Sequence, residues 1–159
     1  MSVVTLIVLW AWFTAQVVAG SCLGAPTMRV VPDGSLPADG MYLPYAGAVV
    51  VERDAPAWLV VHEFAHHYDW ACSISASLAG RRFARRAALD PAGWWDMGLP
   101  YGDRPHERFA SSLTFLLTGH VDWNAHTEGS VLRPLRRWLL GDDARSIRAA
   151  FDAALGEDT

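Results

Sequence analysis

A chain of 159 residues that is 52% hydrophobic and holds eight Trp has the length and apolar content for one buried core, which excludes a disordered chain. Its net charge of −4 and pI of about 5.8 exclude nucleic-acid binding by bulk charge. Cys22 and Cys72 lack CxxC spacing and are too few for a disulfide framework. They read as two buried small hydrophobes, a single bridge being the other option.

In chain order, Val3 to Gly20 carry no charge and only Thr5, Thr14 and Gln16 as polar groups. One reading is a signal peptide or anchor, with Val17-Val18-Ala19 as its cleavage site. The other is a first helix of the domain, ended by Gly20 and Gly24 with Pro26 following. Arg29 is the first positive charge, so no basic residue precedes the apolar run, which favours the helix. Thr27–Pro32 reads as a strand bounded by Pro26 and the turn Asp33-Gly34-Ser35. Met41–Tyr45 contains Pro44, which a sheet tolerates at an edge. Ala48–Arg53 is a short buried strand. Asp54 then caps a helix with Pro56 in its first turn, running to about Cys72.

A second helical stretch, Ser75 to Leu89, carries Arg81, Arg82, Arg85 and Arg86 on what reads as a solvated face. Asp90–Arg104 is a loop rich in Gly, Pro and aromatics. Asp103 caps a third helix, with Pro105 in its first turn and Gly119 at its end. Phe109, Leu113, Leu116 and Leu117 recur on it at helical spacing, while Glu107, Ser111 and Thr114 share another face. Helices near Leu132–Leu140 and Asp143–Leu155 close the chain, with residues 120–159 as a C-terminal helical extension. No repeat or linker divides the sequence, so residues 1–159 read as a single α+β domain.

His62-Glu63-Phe64-Ala65-His66 is an HExxH run, the one stretch that specifies chemistry outright. Residues four apart on a helix lie about 40° apart, so His62 and His66 stack on one face. Two imidazoles held so make half of a tetrahedral zinc site. Glu63, about 100° round, reaches a metal-activated water without ligating the metal, as a general base requires. Buried histidines on an apolar helix need partners, and a metal supplies both at once.

A catalytic zinc takes three protein ligands. In the extended three-histidine pattern a glycine breaks the helix before the last ligand. Here Asp69 stands at the glycine position and Cys72 at the distal one, so the helix continues and Cys72 faces away. Glu107, in Pro105-His106-Glu107-Arg108-Phe109-Ala110, is the better third ligand: it is the only Glu between Glu63 and Glu128 and lies on the polar face of an apolar helix. The other reading of Glu107 is a first-turn carboxylate favoured by the helix dipole. Asp69 reads either as an acceptor orienting a ligand imidazole or as a solvent-facing group. His67 reads as a non-ligand, and His106, His120 and His126 read as polar surface groups or as groups supporting a ligand, not as ligands.

HEFAH followed well downstream by ExFA on a helix resembles a gluzincin-type zincin metallopeptidase. The nearest likeness is to the anthrax lethal-factor type of catalytic domain and its small bacterial and phage relatives. The resemblance implies a zincin-like α+β fold: an N-terminal helix, a small mixed sheet with an edge strand, the HExxH helix, then C-terminal helices. It implies His62, His66 and Glu107 as ligands of Zn²⁺, with Glu63 as catalytic base in a zinc metalloendopeptidase. It also implies that the edge strand Met41–Tyr45 holds an extended peptide or protein substrate. A relative's tyrosine stabilises the oxyanion shortly before the Glu ligand, and Tyr101 is the counterpart here. Ser111 stands where relatives often have an acidic residue. Placement in the cytoplasm or with a phage is favoured over secretion or membrane anchoring. The alternative is a non-catalytic protein in which zinc is a structural pin and loop aromatics (Trp94, Trp95 and Trp123) bind a partner.

Overall fold

The computed structural model describes residues 26–139 of the chain. The expectations for residues 1–20 and for a helix near Asp143–Leu155 lie outside these. The described part is α+β, with a small mixed sheet and four α-helices.

Three strands, β1 (Thr27–Val31), β2 (Gly40–Leu43) and β3 (Ala48–Glu52), form a sheet of order β1-β3-β2. The run Val49-Val50-Val51 is β-branched and has no polar alternation, as suits a strand covered on both faces; all five residues of β3 are buried. β3 pairs with β1 in parallel and with β2 antiparallel, leaving β2 at an edge. β2 is the edge strand expected from the sequence, but it stops at Leu43: Pro44, expected within the strand, instead starts a single-turn 3₁₀ helix (Pro44–Ala46). Gly47 follows at φ 55°, a left-handed conformation that glycine adopts without strain, and turns the chain into β3.

Helix α1 (Ala57–Ala71) carries the HExxH run. Every residue from Val60 to Asp69 is buried, because β2 and β3 cover one side and the helix bearing Glu107 covers the other. Asp54 is not its cap. The Asp54 N–H donates to Asp33 and the Ala55 N–H to the Glu52 carbonyl, which commits these residues to the turn after β3. The helix starts from Pro56, whose carbonyl accepts from Leu59 and Val60. At its other end Cys72 is the C-terminal cap and is disulfide-bonded, its partner lying outside the described residues. The bridge corrects the expectation of two unlinked small hydrophobes.

Helix α2 (Leu78–Arg86) is shorter than expected, because Ile74–Ala76 forms a 3₁₀ turn and the Ser77 hydroxyl caps the first turn by accepting from the Gly80 N–H at 2.9 Å. Its Arg81, Arg82, Arg85 and Arg86 are exposed, the solvated face read from the sequence. Helix α3 (Pro105–Thr118) ends at Gly119, φ 73°, as expected, yet Asp103 does not cap it. Asp103 is the last residue of a 3₁₀ turn (Tyr101–Asp103) and Arg104 takes the cap position without a side-chain bond. The missing acceptor is supplied by the Trp94 carbonyl, which takes the His106 N–H. Helix α4 (Gly129–Leu139) packs on α2.

Phe64 of α1, Phe83 of α2, and Phe109, Leu113 and Leu117 of α3 are fully buried in one cluster with Val49 and Val51. Each such side chain contributes about 1.5–3 kcal/mol by leaving water. This core clamps α1 against α3, and that contact brings the histidines to the glutamate. No helix among the described residues is long and apolar enough to cross a membrane.

Candidate metal centre

Helical spacing sets the His62 and His66 rings 4.7 Å apart, with their Nε2 atoms 3.1 Å from one another. Glu107, in the first turn of α3, places Oε2 3.2 Å from each of these nitrogens. The three atoms form a nearly equilateral triangle, and all three residues are buried. A tetrahedral ion bonded at about 2.0–2.1 Å would space its ligand atoms roughly 3.3–3.4 Å apart. The triangle fits such an ion to within a few tenths of an ångström. Hydrogen bonding alone satisfies it poorly, since an imidazole N–H can point at one neighbour only. A single cation meets all three lone pairs together.

The charges suit a cation. Burial opposes ionisation of Glu107, but hydrogen bonds from His106, His62 and His66 outweigh it and hold the carboxyl well below its usual range. Burial takes His66 down to about 4, leaving at neutral pH the uncharged ring a metal needs. For His62 burial also acts downward, yet the Glu107 hydrogen bond and the charges of Glu63, Glu107 and Asp122 raise it on balance. The Nδ1 atoms of both rings are buried without a partner among the described residues, unlike most metal-bound histidines, whose second nitrogen is tied to a carboxylate or carbonyl.

Glu63 is outside the triangle, as its helix position requires. It faces a cleft of about 500 Å³ together with His66 and Glu107. Burial pushes its carboxyl up to about 7, and a backbone hydrogen bond from Tyr42 at the sheet edge reaches it. Gly40 backs this contact closely: a Cβ there would lie 3.2 Å from Glu63 Cγ. Gly40, Met41 and Tyr42 of the edge strand form one wall of the cleft, and Trp95, Met97 and Tyr101 contribute to the other.

Tyr101 reaches the site despite sitting six positions before Glu107 on a turn of its own. It lines the cleft with Glu63 and Glu107, and burial together with the Glu107 charge raises its pKa above the usual value. Asp69 takes neither role read for it. It is buried and its Oδ2 accepts the Trp94 indole N–H at 2.6 Å; burial raises its pKa well above the normal carboxyl range. Trp94, expected among exposed loop aromatics, is 2% exposed, packed on Phe83 and Phe109. Trp123 is 73% exposed, beside the Tyr101 ring.

The remaining histidines stay outside the triangle. His67 Nδ1 lies 3.2 Å from the Tyr42 hydroxyl, His120 stacks on Trp58, and His126 approaches Glu128 at 3.6 Å. Cys72, in its disulfide, is no ligand. Ser111 is buried, its hydroxyl without a partner among the described residues. Trp95, read from the sequence as a loop aromatic, lines the cleft, as do Trp70 and Met97, where nothing in the spacing distinguishes a cleft wall from core. Comparison with family models, with curated proteins and with solved structures finds no match to the chain.

Proposed function

We propose that the protein is a zinc-dependent endopeptidase with a zincin-like arrangement, in which His62, His66 and Glu107 hold the ion and Glu63 is the general base. The observation that carries this reading is the triangle of ligand atoms at 3.1–3.2 Å, two of whose residues open onto a cleft walled by a sheet edge. When bound, the ion supplies Lewis acidity toward a carbonyl and lowers the pKa of a water molecule. Glu63, tuned near neutrality and steadied by the Tyr42 amide, takes the proton of the attacking water and returns it to the leaving amine. Tyr101, protonated at neutral pH, donates from its phenol to the oxygen that gains charge. The edge strand Gly40–Leu43 offers backbone groups to an extended peptide, which brings the scissile bond past Glu63.

The element order supports the zincin comparison: strand, edge strand, central strand, HExxH helix, then a helix with the third ligand. The rival reading, a structural zinc pin, would use four protein ligands. The described residues bring three. Exposed Trp123 beside Tyr101 is what favours the rival. Zinc content and cleavage of a peptide library separate the two. Glu63→Gln should keep one equivalent of zinc and lower kcat/KM by about 10²–10⁴-fold. Stoichiometric zinc with no cleavage by the wild type would refute the peptidase.

A further inference from the structure

The face of α1 that carries His62 and His66 continues one turn further to Trp70, again four residues on. Every residue from Val60 to Asp69 is buried, whereas Trp70 is open to solvent. Tyr45 meets its ring edge-on at 5.6 Å, and Trp95 does so at 5.3 Å. Trp95 lies in turn 6.3 Å from the His66 ring. The three rings make a row that leads from the surface to the metal triangle, and all of them line the cleft. Large apolar groups gathered in a cleft and left open to solvent mark a binding site. The two carboxylates of the cleft, Glu63 and Glu107, belong to its metal end, and no Arg among the described residues lines it.

β2 and α1 run in the same direction along this cleft. Gly40 lies against Leu59 and Glu63 at one end, and Tyr45, just past β2, lies against Trp70 at the other. A peptide added to the free edge of β2 pairs best antiparallel, so its residues ahead of the scissile bond lie toward Tyr45 and Trp70. Four residues of helix rise about 6 Å, roughly the span of two residues of an extended chain. We propose that Tyr45, Trp70 and Trp95 form a specificity subsite for an aromatic side chain one or two residues before the bond that is cut. The inference rests on the peptidase reading above and names its substrate class: peptides with Phe, Tyr or Trp ahead of the cut. An aromatic side chain gains more than an aliphatic one here, because edge-to-face and offset ring contacts add to burial.

The test gives zinc-loaded wild type a random hexapeptide library and sequences the products by mass spectrometry. Aromatic residues should be enriched at one of the two positions before the cut. Replacing that residue by Ala in a cleaved peptide should lower kcat/KM by about 10–100-fold. Trp70→Ala should shrink this aromatic-to-Ala ratio toward one, whereas a fault of folding or metal binding lowers both rates alike and leaves the ratio intact. Should Trp70→Ala fail to fold, Tyr45→Ala, at a residue 95% exposed, decides in its place. A second readout needs no turnover: immobilised, zinc-loaded Glu63→Gln protein should retain aromatic peptides from the same library and lose that selectivity when Trp70→Ala is added. Aromatic enrichment after the cut, a preference for basic or small residues before it, or an unchanged ratio overturns the proposal and leaves the peptidase standing. A library left uncut overturns the peptidase; selective retention then upholds the aromatic subsite, and its absence overturns that too.

Discussion

Zinc should act on this protein as a folding ligand, with a size that the geometry bounds. The metal-free site confines a carboxylate and two imidazoles within 3.1–3.2 Å of one another, and none of these spacings survives in the unfolded chain. Zinc held by this triangle would therefore bind the folded state in strong preference. At a free concentration 100 times its Kd it adds about 2.7 kcal/mol of stability. For a domain of this size about 1 kcal/mol moves Tm by roughly 2–4 °C, so buffered zinc should raise Tm by about 5–11 °C over the chelated protein. Each further tenfold of free zinc adds about 1.4 kcal/mol. Circular dichroism at several buffered zinc concentrations measures this. His66→Ala and Glu107→Ala should lose the dependence, whereas Glu63→Gln should keep all of it, because Glu63 stands outside the triangle. A Tm independent of zinc in the wild type, or an equal shift in His66→Ala, would refute the assignment of these atoms as ligands.

Other perturbations test the surroundings of the site. Asp69 has a folded pKa raised above its ordinary 3.8 by burial, so the stability its neutral form contributes is complete below that value and is lost as pH rises through the folded pKa. Asp69→Asn keeps an acceptor for the Trp94 indole without this loss; its Tm should match the wild type near pH 3.5 and exceed it increasingly toward pH 8, and a constant difference would sink the account. Phe109→Ala empties a fully buried position of α3 packed on Phe83 and Trp94 and should cost about 3–5 kcal/mol in urea unfolding. Gly40→Ala brings a methyl to 3.2 Å from Glu63 Cγ and 3.3 Å from Leu59, so peptide cleavage should fall while zinc content stays at the wild-type level. Unchanged kcat would show that the edge strand does not steady Glu63.

The legible parts of this molecule are those set by short-range periodicity. Four-residue spacing on α1 is enough to stack His62 on His66, and the valine run of β3 is enough to bury it, whatever the rest of the chain does. Pairing Glu107 with the histidines also followed from residues alone, since an isolated carboxylate on the polar face of an apolar helix needs a buried partner. The helix starts were misread because capping depends on which N–H groups are already engaged. Asp54 and Asp103 are good capping residues by type, but each lies in a turn closed by its own bonds, and Pro56 and Arg104 take the positions instead. Trp94 could not be told from Trp95 in sequence. One fills the core and bonds Asp69, and the other lines the cleft, a difference set by how the loop folds over α1.

Ser111 departs from the zincin-type pattern that the sequence resembles, in which an acidic residue at this place would help orient the metal-binding groups. Its hydroxyl, buried without a partner among the described residues, does not replace that function. A buried polar neighbour meets Glu107 from the other direction along the chain. His106 precedes Glu107 by one residue with its Nε2 3.3 Å from Oε1, and the Trp94 carbonyl accepts from both the His106 backbone N–H and its ring Nδ1–H. The same carbonyl supplies the N-terminal acceptor that α3 otherwise lacks. One backbone group therefore both starts α3, which has no side-chain cap, and fixes the ring beside Glu107.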